Sequence, residues 1–212
     1  MTDYDVDSKG YITEKTSFWK NITNSIFGDH SKQDFLYAKG TKNNIEVEKG
    51  SLAKKTEGEA TKELPNGYTS FEIHDNKNAK EVFEFISVNS QQAEWSWTNL
   101  EKGNMHDNVI GTSHEKATEG FSSNILSQWI GDGYTGKSIH SHAFKKDEWN
   151  EVLPQVPSGY GTEWNDPKSD RKFFNALPKN KFDLFEFSTK DKQYYKFNAT
   201  GFKKVSPKIK NK

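Results

Sequence analysis

The segment QQAEWSWT, residues 91–98, has the alternating pattern of a strand. Trp95 and Trp97 alternate there with Glu94 and Ser96. A period of two is the spacing of a strand, in which neighbouring side chains point to opposite faces of a sheet. The sequence therefore predicts a strand with one aromatic face, and the elements around it follow from the same kind of argument.

The segments on either side of this strand predict two helices and several further strands. Residues 78–89 (NAKEVFEFISVN) carry apolar side chains at helical spacing, and residues 170–177 (DRKFFNAL) begin a second helix that stops at Pro178. The other predicted strands cover residues 10–13, 34–38, 108–112, 137–142, 182–188 and 194–199. This order of elements predicts an α/β or α+β domain in which a mixed sheet is flanked by helices.

The first 65 residues differ in composition from the rest of the chain. Residues 46–63 are rich in charge and nearly free of large apolar side chains. Such a segment buries too little apolar surface to offset the entropy of ordering it, which predicts a linker or an exposed loop. We therefore expect an irregular N-terminal arm and linker over residues 1–65, and a folded domain over residues 66–212.

The composition argues against several classes of protein. The chain has 212 residues, with 30 Lys and Arg, 30 Asp and Glu and no Cys. Zero net charge disfavours a generic binder of nucleic acid, since affinity for phosphates comes mostly from surplus basic residues. Without Cys there is no disulfide and no thiolate, so any metal must be held by imidazole and carboxylate. No apolar run approaches the roughly 20 residues of a membrane helix, and the first residues lack the basic and apolar parts of a signal peptide.

Two of the six histidines have the spacing of metal ligands. His140 and His142 lie on a predicted strand, where residues two apart point to the same face. Two neutral imidazoles side by side can bind one Zn²⁺, with a carboxylate as third ligand and an open position for water, as in catalytic zinc sites. A His-x-His triplet also occurs by chance on protein surfaces, so the pair alone leaves both interpretations open. The metalloprotease motif HExxH, the nucleophile elbow GxSxG and a P-loop are absent from the sequence.

These histidines belong to a longer pattern that resembles the JAB/JAMM (MPN-type) zinc metalloproteases. In that family a Glu on an early strand is followed by His-Ser/Thr-His, and then by a Ser and an Asp at the start of a helix. Here the pattern consists of Glu94, then His140-Ser141-His142, then Ser169-Asp170. The segments AEWSWT, NVIGTSHE, SIHSHAF and PSGYGTEWNDPKSDRKFFNA are most similar to the JAB-like toxin domains at the C-termini of bacterial RHS and other polymorphic toxins. The resemblance covers residues 78–200, and the opening YDVDSKGYITEK is similar to the segment that precedes such toxin tips.

The resemblance implies a fold, a cofactor and a role for each of these residues. The fold would be the mixed sheet of the JAMM and cytidine-deaminase-like architecture, and the cofactor would be Zn²⁺ bound by His140, His142 and Asp170. Glu94 would be the general base that takes a proton from the zinc-bound water. Zinc lowers the pKa of that water to about 7 and polarises the scissile carbonyl, and a Ser hydroxyl helps to hold the oxyanion.

The sequence departs from the family pattern between the second His and the Asp. Asp170 follows His142 at a longer distance than is usual in the family, which an insertion over residues 143–168, forming a loop over the cleft, would explain. The Ser that the family places three residues before the Asp is replaced by Pro167. Two choices therefore stay open: the oxyanion could be supported by Ser158, by Ser169 or by neither, and the third ligand could be Asp170, which we favour, or Asp166.

The sequence as a whole predicts a zinc-dependent peptidase or isopeptidase that is the toxic C-terminal domain of a bacterial secreted effector. We expect it to act in the cytoplasm of a target cell on a protein or peptide substrate, to bind a cognate immunity protein, and to bind neither nucleic acid nor membranes. A metal-dependent nuclease toxin is the first alternative, and the balanced charge argues against it. A catalytically inactive MPN-like binding module is the second, and the presence of all four key residues argues against it.

Overall fold

The computed structural model describes residues 2–15, 33–62, 64–115, 120–142 and 181–206, together with residues 157, 170, 175 and 177. Within these residues the α-helices are α1 (Asn76–Asn89) and α2 (Gly120–Gly131), and a 3-10 helix spans Leu52–Lys54. The strands are β1 (Asp3–Val6), β2 (Ile12–Glu14), β3 (Gln33–Ala38), β4 (Asn44–Glu48), β5 (Thr56–Gly58), β6 (Tyr68–Glu72), β7 (Ser96–Lys102), β8 (Met105–Thr112), β9 (Thr135–His142), β10 (Phe182–Ser188), β11 (Gln193–Phe197) and β12 (Phe202–Val205). No helix in this part of the chain is long and apolar enough to cross a membrane.

Eight of the strands form one mixed sheet in the order β12-β11-β10-β9-β7-β8-β6-β5. β9 and β10 are parallel, while the other neighbouring pairs in this sheet are antiparallel. Parallel neighbours cannot be joined by a hairpin, so the chain passes from the end of β9 to the start of β10 through a long crossover. Asp170 belongs to this crossover, which begins directly after His142. The expected mixed α+β fold is thus confirmed.

Helices cover both faces of this sheet. α1 packs on one face, where the centroid of the Phe83 ring lies 5.9 Å from that of Trp97 and 5.7 Å from that of Phe187. α2 packs on the opposite face through Phe121 and Leu126, which are buried in a second apolar cluster. Fully burying one such side chain stabilises a fold by about 1.5–3 kcal/mol. These contacts therefore hold each helix against its own face of the sheet.

α1 confirms the helix that the sequence predicts over residues 78–89. Asp75 caps it, because its side chain accepts a hydrogen bond of 2.6 Å from the backbone N–H of Asn78. Phe83 and Ile86 lie three residues apart on its inner side and are fully buried. The cap and the apolar stripe together explain why the helix forms here.

The N-terminal residues form a sheet of their own, in place of the irregular arm that the sequence predicts. Its four strands lie in the order β2-β1-β3-β4. Val6, Leu36 and Val47 from these strands are buried in the same core as α1. Composition understates this order, because each strand is short and buries few apolar side chains, while backbone pairing between strands satisfies its polar groups.

The prediction of a linker or an exposed loop over residues 46–63 is wrong for residues 46–58, while residues 59–62 are exposed and lie outside helices and strands. The segment contains the end of β4, the 3-10 helix and β5, and β5 pairs with β6 in the large sheet. Val47 and Leu52 are excluded from solvent, and the buried carboxylate of Asp34 accepts a hydrogen bond of 2.8 Å from the backbone N–H of Gly50. A few well-placed buried groups therefore order a segment whose overall composition is that of a loop. The predicted domain boundary at the end of this segment stays a prediction.

Other elements differ from the prediction in smaller ways. β7 begins at Ser96 and not at residue 91, and β6, β12 and α2 have no predicted counterpart. The remaining predicted strands are confirmed, with small shifts at their ends. Asp170 and Asn175 are helical, as predicted for the second helix. The rest of that helix, and the Pro- and Gly-rich loop at 153–165 apart from one residue, lie outside the described residues.

Gly136 on β9 cannot be replaced without moving a neighbouring strand. Its φ is +148°, and a Cβ added there would lie 1.9 Å from the backbone oxygen of Asn99 on β7. We expect Gly136→Ala to lower the free energy of unfolding by about 2–4 kcal/mol, since strain and overpacking add. Gly103→Ala is the matched control, because Gly103 also has a positive φ but has open space around it. Equal losses in denaturant titrations of the two variants would contradict this account.

His114 joins the N-terminal sheet to the large sheet. Its Nε2 lies 2.9 Å from the hydroxyl of Thr69 on β6, and its Nδ1 lies 3.2 Å from the backbone oxygen of Lys9. The Tyr11 ring stacks on the imidazole at a centroid distance of 4.1 Å. Burial lowers the pKa of His114 below its ordinary value, against smaller opposing effects of Lys9 and neighbouring carboxylates.

This environment predicts a pH dependence of stability. Because the pKa of His114 is lower in the folded than in the unfolded state, its contribution is complete above the unfolded pKa of about 6.5 and is lost as the pH falls below it. Thermal unfolding of the metal-free chain between pH 8 and pH 5 should therefore show a smaller loss of Tm for His114→Asn than for the wild type. The exposed His106, replaced by Asn, is the control and should keep the wild-type slope. Parallel profiles for His114→Asn and the wild type would contradict the assignment.

Candidate metal centre

β9 presents the two histidines on one face near the middle of the large sheet. The strand pairs with β7 on one side and with β10 on the other, so its backbone is fixed on both edges. The side chains of His140 and His142 are only 11% and 12% exposed. Their Nε2 atoms lie 3.3 Å apart, and the Phe197 ring packs edge-on against His140 at a centroid distance of 5.9 Å. The two imidazoles are thus nearly buried, which distinguishes them from a chance His-x-His triplet on a protein surface.

Asp170 completes a cluster of three potential ligands. One of its carboxylate oxygens lies 2.8 Å from Nε2 of His140, and the other lies 3.6 Å from Nε2 of His142. All three residues offer a donor atom within 4.8 Å of the others. The cluster could therefore bind a metal ion.

The donor atoms fit a zinc ion in both type and spacing. Two imidazole nitrogens and one carboxylate oxygen are a ligand set that zinc accepts. Ligands at about 2.0–2.1 Å from a tetrahedral ion lie about 3.3 Å from one another. The observed donor separations of 2.8, 3.3 and 3.6 Å bracket that value. A single small cation could therefore contact all three residues.

The electrostatics of the cluster also favour a cation. Burial alone would raise the pKa of Asp170, but the charges and hydrogen bonds of the two histidines outweigh burial and hold this pKa well below its ordinary value. Burial alone would lower the pKa of His142, but the carboxylates of Glu186, Asp170 and Glu94 outweigh it and raise this pKa well above its ordinary value. The carboxyl groups around the two imidazoles thus favour positive charge at this site, whether as a ring proton or as a metal ion.

Glu94 lies beside this cluster but not on a strand, because β7 begins two residues later. Its backbone N–H donates a hydrogen bond of 2.8 Å to the backbone oxygen of Glu115. Its own backbone oxygen accepts one of 2.6 Å from the hydroxyl of Thr112 at the end of β8. The residue is buried, and its charge acts on the pKa of His142. The prediction of a strand residue is wrong. The structure places Glu94 near His142, and its role as general base stays a prediction.

Ser141 ties β9 to the segment that carries Glu94. Ser141 stands between the two histidines in the sequence, and its side chain is fully buried. Its hydroxyl accepts a hydrogen bond of 3.0 Å from the backbone N–H of Trp95, and its own N–H donates one of 2.8 Å to the Trp95 oxygen. The central Ser of the His-Ser-His triplet therefore fixes the spacing between the His pair and Glu94.

Three other predicted residues lie outside the described part of the chain. Ser158 and Ser169, predicted to support an oxyanion, are among them, as is Asp166, the rival third ligand. Their roles stay predictions. Asp170 is described, and the structure brings it to the His pair.

The sequence analysis missed one charged residue at this site, Glu186 on β10. In the parallel register Glu186 lies beside His140, and its side chain is fully buried. One of its carboxylate oxygens lies 3.5 Å from Nδ1 of His142. Burial raises the pKa of Glu186 to about 8, despite the opposing effect of His142. The available signal was an acidic residue in the middle of the otherwise apolar strand FDLFEFS.

The comparison with known families agrees with this geometry. Residues 71–175 match the model of the family described as JAB-like toxin 1. The match spans Glu94, His140, His142 and Asp170, whereas Glu186 lies beyond its end. The chain therefore contains a JAB-like toxin domain, as the resemblance predicts. No curated protein and no solved structure matches the chain.

Proposed function

We propose that this chain is a zinc-dependent peptidase or isopeptidase and the toxic domain of a bacterial secreted effector. The observation that carries the proposal is the cluster of His140, His142 and Asp170, nearly buried and within 4.8 Å, inside a segment that matches a JAB-like toxin family. A toxin domain needs a target and, in the producing cell, protection. We therefore propose a protein or peptide substrate in a target cell's cytoplasm and a cognate immunity protein.

The ligand set supports zinc over other divalent ions. Carboxylate and water oxygens suit magnesium and calcium, whereas imidazole suits zinc and other transition metals. Three protein ligands leave a fourth position of a tetrahedral ion open, which is the arrangement of catalytic zinc sites. When bound, zinc supplies Lewis-acid polarisation of a carbonyl oxygen and a water of lowered pKa.

The protein's own contribution centres on Glu94. A buried carboxylate beside the His pair can accept a proton from water and hand it on to the leaving amine. The hydrogen bonds of its backbone to Glu115 and Thr112 fix the segment that carries this carboxylate, so the segment need not be ordered when substrate binds. A hydroxyl from Ser158 or Ser169 would hold the substrate oxygen as its charge develops.

The test begins with the metal and ends with the bond that is cleaved. Chain stripped with chelator and reloaded is expected to hold about one zinc. Zinc-loaded wild type and Glu94→Gln are then incubated separately with a cell extract, with DNA and with RNA. New peptide termini or released isopeptide-linked chains that appear only with the wild type support the proposal. Degradation of nucleic acid without any cleaved peptide bond would contradict it in favour of a nuclease.

A further inference from the structure

A buried carboxylate lies behind His142, on the side of the ring away from the other candidate ligands. The Nε2 atom of His142 faces Nε2 of His140 at 3.3 Å and a carboxylate oxygen of Asp170 at 3.6 Å. The Nδ1 atom of the same ring faces a carboxylate oxygen of Glu186 at 3.5 Å. The two ring nitrogens of His142 therefore have different partners, one the ligand cluster and the other Glu186.

The position of Glu186 is unusual for a carboxylate. Its side chain has no exposure to solvent, and neither carboxylate oxygen has a hydrogen-bond partner among the residues that the structure describes. A buried carboxylate that lacks hydrogen-bond partners lowers stability, and native proteins keep such groups where they serve a function. Leu184 and Ser188, two residues away on the same strand face, are uncharged. Glu186 is therefore the one charged residue on this face of β10.

We propose that Glu186 is a positioning residue of the metal centre, accepting a hydrogen bond from Nδ1–H of His142 and thereby directing Nε2 toward the ion. The inference rests on the proposed zinc function. Histidines that bind metals commonly donate their other ring N–H to a carboxylate, which fixes the tautomer and the ring orientation and makes the ligand nitrogen more basic. The negative charge of Glu186 also compensates the charge of a bound cation.

This role predicts opposite effects of one substitution on two measurements. Removing an outer-shell carboxylate typically weakens metal affinity by about 10- to 100-fold. In the metal-free protein, by contrast, the Glu186 carboxyl group is fully buried and has no hydrogen-bond partner among the described residues, so it contributes little to stability. Glu186→Gln is therefore expected to raise the zinc Kd by about 10- to 100-fold while leaving the unfolding midpoint of the metal-free chain unchanged or higher. A merely structural Glu would give a lower midpoint and an unchanged zinc Kd.

The experiment measures the zinc Kd by competition with a chromophoric chelator and the unfolding midpoint in the presence of EDTA. Asp183→Asn is the matched control, since it removes a carboxylate from the same strand at an exposed position paired with Lys196. It should keep the wild-type Kd. Glu186→Met is a second variant that fills the volume without charge, and it should weaken zinc binding at least as much as Glu186→Gln.

A spectroscopic measurement on the wild type tests the inference without any variant, and so does not require that a variant fold. In zinc-loaded protein with ¹⁵N-labelled His, the resonances of His142 should show a protonated Nδ1 and an unprotonated Nε2. The opposite assignment would overturn the inference, because Glu186 could not then accept a ring proton. That assignment would also exclude Nε2 of His142 as a zinc ligand. An unchanged zinc Kd in folded Glu186→Gln would overturn the inference alone and leave the proposed zinc function standing. A wild type that binds no zinc would instead refute the proposed function first, and the inference with it.

Discussion

Glu94→Gln is expected to abolish toxicity and cleavage while leaving the zinc content at the wild-type level. Gln has nearly the shape of Glu but cannot accept a proton, and a positioned general base contributes about 10²- to 10⁴-fold to the rate. The buried backbone hydrogen bonds of Glu94 do not involve its carboxylate, so the substitution should leave the local fold intact. Growth on induced expression reports toxicity, and elemental analysis of the purified variant reports the metal.

The control for this experiment is Glu101→Gln. Glu101 lies on β7 and pairs with Thr135 at the start of β9, at the far end of the strand that carries the histidines. It should retain both toxicity and zinc. If Glu94→Gln remains as toxic as the wild type, Glu94 is not the base and the JAMM-like mechanism is wrong. If it loses zinc, Glu94 acts as a ligand and the proposed division of roles is wrong.

His142→Ala is expected to lose zinc binding altogether under conditions in which the wild type binds one ion. The substitution removes one of three ligands, so the loss should exceed the roughly 10- to 100-fold effect of removing an outer-shell partner. Activity should disappear together with the metal, whereas Glu94→Gln should lose activity and keep the metal. Chelator competition measures the affinity, and circular dichroism establishes that the variant is folded.

His106→Ala is the matched control for the loss of an imidazole. His106 is exposed on β8 and lies outside the cluster. It should bind zinc like the wild type. Unchanged zinc affinity in folded His142→Ala would mean that the ion is held elsewhere, and the assignment of this cluster as the metal centre would be refuted.

The His pair and the helix α1 were predictable from the sequence because both have strong local patterns. His140 and His142 share a strand face by period alone, and α1 follows from its apolar spacing and a cap. Asp170 was a different matter. Its approach to the histidines depends on a crossover between parallel strands, so only the resemblance to a family pattern pointed to it.

What the sequence analysis missed depends on tertiary context. The linker prediction is wrong for most of residues 46–63 because Leu52 and Val47 are buried in the core that also contains α1. Composition alone cannot reveal such burial. Glu94 was placed on a strand because its neighbours alternate, whereas backbone bonds to Glu115 and Thr112 hold it just before β7. Glu186 went unnoticed as a site residue because its closeness to His142 follows from the pairing of β9 with β10, and that pairing has no local signal.

The most direct test of the central claim is anomalous diffraction at the zinc edge from crystals of the zinc-loaded chain. Zinc bound by this cluster should give one strong peak, at about 2.0–2.2 Å from Nε2 of His140, from Nε2 of His142 and from a carboxylate oxygen of Asp170. The same map distinguishes Asp170 from Asp166 as the third ligand. A crystal that takes up no zinc at this cluster, or holds it away from both histidines, would contradict the account.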